Sequence, residues 1–121
     1  MIDVLIVDDS ASIRERLAVL LIETGQIRIA GQAGNSGDGW KAVQRLKPDT
    51  VLLDIRMPDN SGIALLKNIK AHYPETTVIM LTNYDDPIYR TQCRRLGADY
   101  FLNKTLEFEE IADTITAHSA R

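Results

Sequence analysis

The chain has 121 residues, of which 45% are apolar and 26% are charged, and its formal net charge is -3. This length suits one domain with one hydrophobic core, and the composition excludes a disordered or fibrous chain. Lys and Arg are scattered apart from the small group Arg90, Arg94 and Arg95, which argues against direct nucleic-acid binding. We therefore predict a single globular domain over residues 1–121.

The single cysteine, Cys93, excludes an internal disulfide and is predicted to be a small helical residue rather than a reactive thiol. The longest purely apolar run, residues 17–22, is too short to cross a bilayer, and the N-terminus lacks the pattern of a signal peptide. These features predict a protein of the reducing cytoplasm without a membrane partner.

Apolar segments of strand length alternate with amphipathic segments along the chain, a pattern typical of repeated βα units. The predicted strands have mostly apolar central positions, as burial on both faces of a parallel sheet requires. They lie at Ile2–Val7, Ile27–Ala33, Thr50–Leu53, Thr77–Leu81 and Asp99–Leu102. With five helices between and after them, the predicted fold is a flavodoxin-like, doubly wound (βα)5 sheet with strand order 2-1-3-4-5.

Several helix limits can be predicted from local signals. Ser12 and Glu15 have the spacing of a capping box at the start of the first helix. The second and third helices should end before Pro48 and Pro74, and Gly97 suits the left-handed cap that closes the fourth.

Four of the predicted strands are followed by polar side chains: Asp8 and Asp9, then Asp54, Thr82 and Lys104. Because the carboxyl ends of parallel strands meet at one edge of a sheet, these side chains should lie together. Carboxylates bind a hard cation, whereas a hydroxyl and an ammonium group can contact phosphate oxygens. The set predicts a site for a divalent cation and a phosphoryl group.

The three acids would meet where the strand order reverses, between the first and third strands. Carboxylates packed there repel one another and raise their own pKa values unless a cation joins them. This arrangement predicts Mg²⁺, with Asp9 and Asp54 as direct ligands and Asp8 acting at least through water.

Each of these residues alone has a simpler interpretation. An isolated Asp pair is usually a solvated turn, Thr82 a helix cap, Lys104 a surface charge and Phe101 a core or edge aromatic. Only their joint occurrence at strand ends favours a functional site. His72 and His118 have no such support and are predicted to be exposed helical residues.

Residues 54–62 match the pattern Asp-x-x-Met-Pro-x-x-x-Gly, and Gly-Ala-Asp precedes the fifth strand. With the acidic pair, Thr82 and Lys104, these motifs resemble the receiver domain of two-component response regulators, in the CheY-like superfamily. The resemblance runs from Ile2 to about Ala117. It implies a phosphorylation-dependent signalling switch rather than an enzyme, one that assists only its own phosphorylation and dephosphorylation.

The resemblance also implies roles for individual residues. Asp54 would accept the phosphoryl group from a sensor histidine kinase or a histidine phosphotransfer protein. The Mg²⁺ ligands would be Asp8, Asp9, Asp54 and the backbone carbonyl of Arg56.

Lys104 and the Thr82 hydroxyl would contact phosphoryl oxygens, and Phe101 would be the aromatic switch residue that turns inward as Thr82 moves. The surface formed by the fourth helix, fifth strand and fifth helix would then change and regulate a downstream protein, which the sequence does not name.

Two departures from the family pattern stand out. Thr105 follows Lys104, where the family usually has proline, often after a cis peptide bond, so the geometry of this bond stays open. Asn83, which Tyr84 follows, stands after Thr82 where the family usually has a small residue. With Arg56, these side chains would narrow the path by which a phosphodonor or hydrolytic water reaches Asp54. This predicts a slow or selective cycle, and an unchanged decay of the phosphorylated form in Asn83→Ala would contradict it.

Several alternatives remain open. The chain is either a stand-alone receiver, which the sequence favours, or the receiver domain cut from a larger transcriptional response regulator. Outside this family, a metal-dependent phosphatase would commonly place a second acid where this chain has Arg56. A flavin or nucleotide carrier would need a phosphate-binding loop where this chain has Asp8 and Asp9. A receiver-like domain that signals without phosphate would not need the complete acceptor set.

Overall fold

The computed structural model describes residues 1–57, 62–83 and 87–120. Five parallel strands form one sheet in the order β2-β1-β3-β4-β5. The strands are β1 (Ile2–Val7), β2 (Ile27–Ala33), β3 (Thr50–Asp54), β4 (Thr77–Thr82) and β5 (Tyr100–Asn103). The helices are α1 (Ala11–Ile22), α2 (Ser36–Leu46), α3 (Gly62–His72), α4 (Pro87–Arg95) and α5 (Glu110–Ser119). The predicted fold class and strand order are confirmed.

The strand limits differ slightly from the prediction at the functional edge of the sheet. β1 and β2 have the predicted limits, whereas β3 and β4 each continue one residue further, to Asp54 and Thr82. β5 was predicted at Asp99–Leu102 but is shifted by one residue, to Tyr100–Asn103. Asp54 pairs with Leu81 on β4, and Thr82 pairs with Asn103 on β5. Asp54 and Thr82, which were predicted to follow their strands, are therefore paired within the sheet. This pairing fixes the position of their backbones.

Helices cover both faces of the sheet because successive residues of the buried strands point in opposite directions. On β1, Leu5 and Val7 join one core cluster, which includes buried residues of α2, α3 and α4. Val4 and Ile6 join the other cluster, with buried residues of α1 and α5. β3 and β4 are buried along their whole length. The functional residues thus stand at the end of a rigid, fully packed centre.

The helix ends confirm some predicted signals and correct one. The Ser10 hydroxyl caps α1 by accepting the Ile13 N–H at 3.2 Å. The predicted Ser12–Glu15 capping box is therefore wrong, because the helix begins at Ala11 and Ser12 already lies in its first turn. After α4, Gly97 has a φ of 99°, the left-handed conformation that was predicted for it.

Cys93 and His72 have the environments that were predicted for them, whereas His118 does not. Cys93 is fully buried in α4, and burial raises the pKa of its thiol to about 11, so it is an unreactive core residue. His72 is exposed, but His118 is only half-exposed, since its Nδ1 contacts the Tyr100 hydroxyl at 2.9 Å. Among the described residues, no helix is long and apolar enough to cross a membrane.

Gly62, the first residue of α3, lies unusually close to the end of β3. A Cβ atom at this position would lie 2.5 Å from the Asp54 carbonyl oxygen and 2.8 Å from that of Ile55. Both neighbours are backbone atoms, so they cannot rotate away. The absence of a side chain at Gly62 allows α3 to approach the strand that carries Asp54.

We expect Gly62→Ala to lower the free energy of unfolding by about 1–3 kcal/mol, because the added methyl group overpacks against backbone. Urea unfolding followed by circular dichroism measures the change. Gly37→Ala in α2 is the matched control, since its Cβ would make an ordinary contact of 3.4 Å with Asn35 Oδ1. Equal stability of the two variants would show that the close approach has no energetic consequence.

Candidate functional site

Three carboxylates meet at the carboxyl edge of the sheet, between the neighbouring strands β1 and β3. One oxygen from each of Asp8, Asp9 and Asp54 lies within 4.8 Å of the others. Asp8 and Asp54 are buried, at 1% and 4% exposure, whereas Asp9 is exposed. The structure therefore brings together the predicted acids at the point where the strand order reverses.

Lys104 brings a positive charge into this group of acids. Its Nζ lies 2.5 Å from Asp8 Oδ2 and 3.1 Å from Asp54 Oδ2. The lysine is only 8% exposed, so the ammonium group is largely removed from water. A buried ammonium group in this position partly neutralises two buried carboxylates and holds them near each other.

Main-chain hydrogen bonds orient the two buried carboxylates. Asp8 Oδ1 accepts the Ser10 N–H at 2.9 Å, and Asp54 Oδ1 accepts the Arg56 N–H at 3.1 Å. In each residue this leaves Oδ2 as the oxygen that faces Lys104. Asp8 and Asp54 are thus oriented alike: in each, Oδ1 accepts the N–H group two residues further along the chain, and Oδ2 faces the lysine.

Thr82 and Phe101, the two predicted switch residues, lie on neighbouring strands. Thr82 is buried at the end of β4, and its carbonyl oxygen accepts the Lys104 N–H at 2.7 Å. Phe101 is half-buried on β5, and the Arg90 guanidinium group lies 4.8 Å from the centre of its ring. β4 and β5 therefore connect the acidic site to the α4 surface.

The structure describes some, but not all, of the residues that were predicted to lie around Asp54 and Lys104. Asn83 is exposed, and Arg56 is also exposed, with its guanidinium carbon 5.9 Å from the centre of the Tyr89 ring. Tyr84 and residues 58–61 of the predicted Met-Pro loop lie outside the described residues. All the peptide bonds described are trans, so the Lys104–Thr105 bond has no cis geometry.

The buried charges shift the pKa values of two groups. Burial raises the pKa of Asp54 to about 6, the nearby Lys104 charge opposes this, and the Asp8 charge adds to it. Burial lowers the pKa of Lys104, but its hydrogen bond with Asp8 and the charge of Asp54 outweigh burial and raise that pKa above its ordinary value. The lysine therefore stays charged at neutral pH, whereas the Asp54 carboxylate is protonated more easily than that of an ordinary aspartate.

The donor set fits a hard divalent cation. It consists of carboxylate oxygens, the ligands that Mg²⁺ prefers. Asp8 Oδ2 is buried, and among the described residues its one partner is the Lys104 ammonium group. Such an oxygen retains a free lone pair for a cation, and the exposed Asp9 keeps the cluster accessible from solvent.

Sequence reasoning missed three residues that support this site. Arg14 Nη1 donates to the Asp8 carbonyl oxygen at 2.6 Å, and Asn103 and Glu107 form a small network after β5. The only sequence signal for this network was that Asn103 and Glu107 are four residues apart, a spacing at which two residues can contact each other across one turn of backbone. No pattern indicated Arg14, because its role depends on how α1 packs.

A family model for the response regulator receiver domain matches residues 4–116. The chain belongs to this family. Its fold confirms the resemblance that the strand-end residues indicated. Receiver domains of this family are signalling switches that histidine kinases phosphorylate, so the broad function follows from membership.

Curated relatives and solved structures agree with this assignment. A response regulatory protein of Vibrio cholerae is 43% identical over 95% of this chain and 47% of its own length. The response regulator GacA of Pseudomonas aeruginosa is 30% identical over 95% of this chain and 54% of its own length. The chain thus spans about half the length of these relatives.

Among solved structures, the receiver domain of NarL from Mycobacterium tuberculosis has a TM-score of 0.91 at 25% identity, covering 98% of this chain and 96% of that one. The response regulator domain of CheB from Thermotoga maritima has a TM-score of 0.85 at 30% identity, covering 98% and 92%.

The raised pKa of Asp54 predicts a stability effect in the metal-free protein. The folded state holds the Asp54 proton more tightly than the unfolded state, so this residue's contribution to stability falls as pH rises from about 4 to 6. We expect Asp54→Asn to raise the free energy of unfolding at pH 8 by roughly 1–3 kcal/mol, with the gain vanishing near pH 4. Urea unfolding across this pH range measures it.

Glu75→Gln, at an exposed acid, is the control and should show no such pH-dependent gain. A difference between Asp54→Asn and wild type that stays constant from pH 4 to 8 would contradict the proposed cost of the buried charge.

Proposed function

We propose that Asp54 accepts a phosphoryl group from a histidine kinase or a histidine phosphotransfer protein and that the resulting aspartyl phosphate switches this domain. The observation that carries the proposal is the buried Lys104 ammonium placed between Asp8 and Asp54. A buried cation beside a nucleophilic carboxylate is suited to neutralise a phosphoryl group that arrives there.

The chemistry assigned to Asp54 is nucleophilic attack on phosphorus. A carboxylate oxygen forms the new O–P bond as the P–N bond to the donor's imidazole breaks, and the imidazole keeps the bonding electrons. The Arg56 N–H holds Asp54 Oδ1, which leaves Oδ2 on the side of Lys104. We assign Lys104 the role of pairing with a phosphoryl oxygen as the group arrives and after it has been transferred.

We propose that Mg²⁺ would be held by Asp8, Asp9, Asp54 and the carbonyl oxygen of Arg56. When bound, this cation would reduce the repulsion between the acids and the incoming phosphoryl oxygens. The grouped carboxylates and the buried Oδ2 of Asp8 support the assignment. Asp8 and Asp54 also orient Lys104 in the absence of the cation.

The proposed switch runs through β4 and β5. A phosphoryl group that competes for Lys104 would disturb its pairing with both acids, and the Thr82 hydroxyl would turn towards the new oxygens. Thr82 is tied to β5 through the Lys104 N–H, and Phe101 lies on the same strand. We therefore assign the output to a change of the α4, β5 and α5 surface that a downstream protein recognises.

We also propose that residues 1–121 form a single receiver domain that works in the cytoplasm and binds no nucleic acid itself. The continuous sheet and two shared core clusters support one domain. The single cysteine suits a reducing compartment. The longer relatives include proteins named as transcriptional regulators, which supports the alternative that this domain is one part of such a protein.

The proposal is tested by intact-mass measurement after incubation with acetyl phosphate, with and without Mg²⁺. We expect a metal-dependent gain of one phosphoryl group that is labile to base, because an acyl phosphate hydrolyses readily. Asp54→Asn should show no gain, since the amide is not a nucleophile at this position.

Asp49→Asn is the matched control, because it makes the same change just before the opposite end of β3 and should label like wild type. Retained labelling in Asp54→Asn would reject Asp54 as the acceptor. No labelling of the wild type by any phosphodonor, whether small or histidine-bound, would reject phosphorylation of this domain.

A further inference from the structure

The residues on either side of Lys104 form a hydrogen-bonded turn. Asn103 Oδ1 accepts the N–H groups of Thr105 at 2.8 Å and Leu106 at 2.9 Å. Glu107 Oε1 accepts the Asn103 N–H at 3.0 Å, and the Glu107 N–H donates to the Asn103 carbonyl oxygen at 3.0 Å. Asn103 and Glu107 are therefore linked reciprocally across the lysine, and we call these two residues the lysine clamp.

The position of β5 in the sheet explains why the clamp is needed. β5 is an edge strand, and in a parallel strand the N–H and C=O of one residue point to the same side. The Lys104 N–H points to β4, where it donates to the Thr82 carbonyl, so the Asn103 groups point to the open edge. Glu107 satisfies both of these edge groups, one through its side chain and one through its main chain.

The clamp fixes the backbone from which the Lys104 side chain extends. No proline follows the lysine, and its peptide bond to Thr105 is trans, so neither a ring nor a cis bond sets the direction of the chain. Lysine has a long flexible stem, and its ammonium reaches Asp8 and Asp54 only if the stem starts from a defined place. Asn103 is itself buried, at 7% exposure.

We propose that Glu107 and Asn103 are positioning residues that hold the Lys104 ammonium group between Asp8 and Asp54. Neither contacts the acids in the described structure; they act through the lysine backbone. The catalytic consequence rests on the proposed function, in which Lys104 pairs with the phosphoryl group. The positional consequence, an ordered Lys104 ammonium, does not depend on phosphorylation.

The first test compares Glu107→Ala with Glu107→Gln in the full chain. We expect Glu107→Ala to slow labelling by acetyl phosphate on the order of tenfold, because a displaced lysine neutralises the phosphoryl group poorly. Glu107→Gln keeps an oxygen acceptor and should label within about twofold of wild type. Glu109→Ala removes the same charge two residues away, where the side chain caps nothing, and should label like wild type.

A double-mutant cycle with Lys104→Ala separates positioning from a general structural effect. If the clamp acts through Lys104, adding Glu107→Ala to Lys104→Ala leaves the labelling rate unchanged. A further loss in the double variant as large as in the single Glu107→Ala variant would overturn the proposal. So would wild-type labelling by Glu107→Ala, or failure of Glu107→Gln to restore the rate.

A second readout needs no phosphorylation. An ordered, buried ammonium group gives a lysine Nζ–H cross peak in ¹H–¹⁵N NMR, assigned to Lys104 by its loss in Lys104→Ala. We expect this peak in wild type, Glu107→Gln and Glu109→Ala, and its loss in Glu107→Ala. Persistence of the peak in Glu107→Ala would overturn the positioning role of Glu107, even if wild type is never labelled. If the peaks follow the expected pattern but wild type is not labelled, only the proposed function is rejected.

Asn103 provides an independent variant if removal of Glu107 disturbs folding. Asn103→Ala removes the acceptor of the Thr105 and Leu106 N–H groups, whereas Asn103→Asp retains it. We expect the Lys104 ammonium peak to disappear in the first variant and to remain in the second. The opposite pattern, or loss of the peak in both folded variants, would exclude the Asn103 acceptor as the positioning group.

Discussion

The contact of the buried Lys104 ammonium with Asp8 and Asp54 is the interaction on which the site depends. Two carboxylates at 1% and 4% exposure repel each other, and removal from water makes that repulsion expensive. The lysine offsets this cost only in part: burial is the main reason that the pKa of Asp54 stays above its ordinary value, and the Asp8 charge adds to it. The two buried carboxylates therefore keep an unfavourable electrostatic energy, which a bound cation would lower.

The sheet makes this strained arrangement possible. β1, β3 and β4 are packed on both faces, so their ends form a rigid base that holds the acids at a constant separation. The close approach of Gly62 to the end of β3 adds a second constraint on Asp54. By contrast, Lys104 comes from an edge strand and depends on the turn of Asn103 and Glu107. The acids are thus held by the core, and the lysine by local hydrogen bonds.

The local sequence signals differ in how closely they match the observed strand and helix ends. The strand ends were located to within one residue, because apolar runs and the polar residues after them mark burial directly. The capping box of Ser12 and Glu15 was wrong because Ser10 offers an equally suitable cap two residues earlier, and only the path of the chain selects between them. His118 was expected to be exposed, but the end of α5 lies against β5 and its ring contacts Tyr100.

The amino-acid sequence alone determined the alternation of strands and helices and the polar residues that come at the strand ends. These depend on hydrophobic periodicity and on the order of residues, both of which are local. The strand order, which is not local, was predicted only by assigning this alternation to the flavodoxin-like fold. Only the tertiary structure decided the pairing of Lys104 with Asp8 and Asp54, the raised pKa of Asp54 and the clamp around the lysine. Those properties depend on burial and on distances of a few ångströms between residues far apart in the chain, which no local pattern encodes.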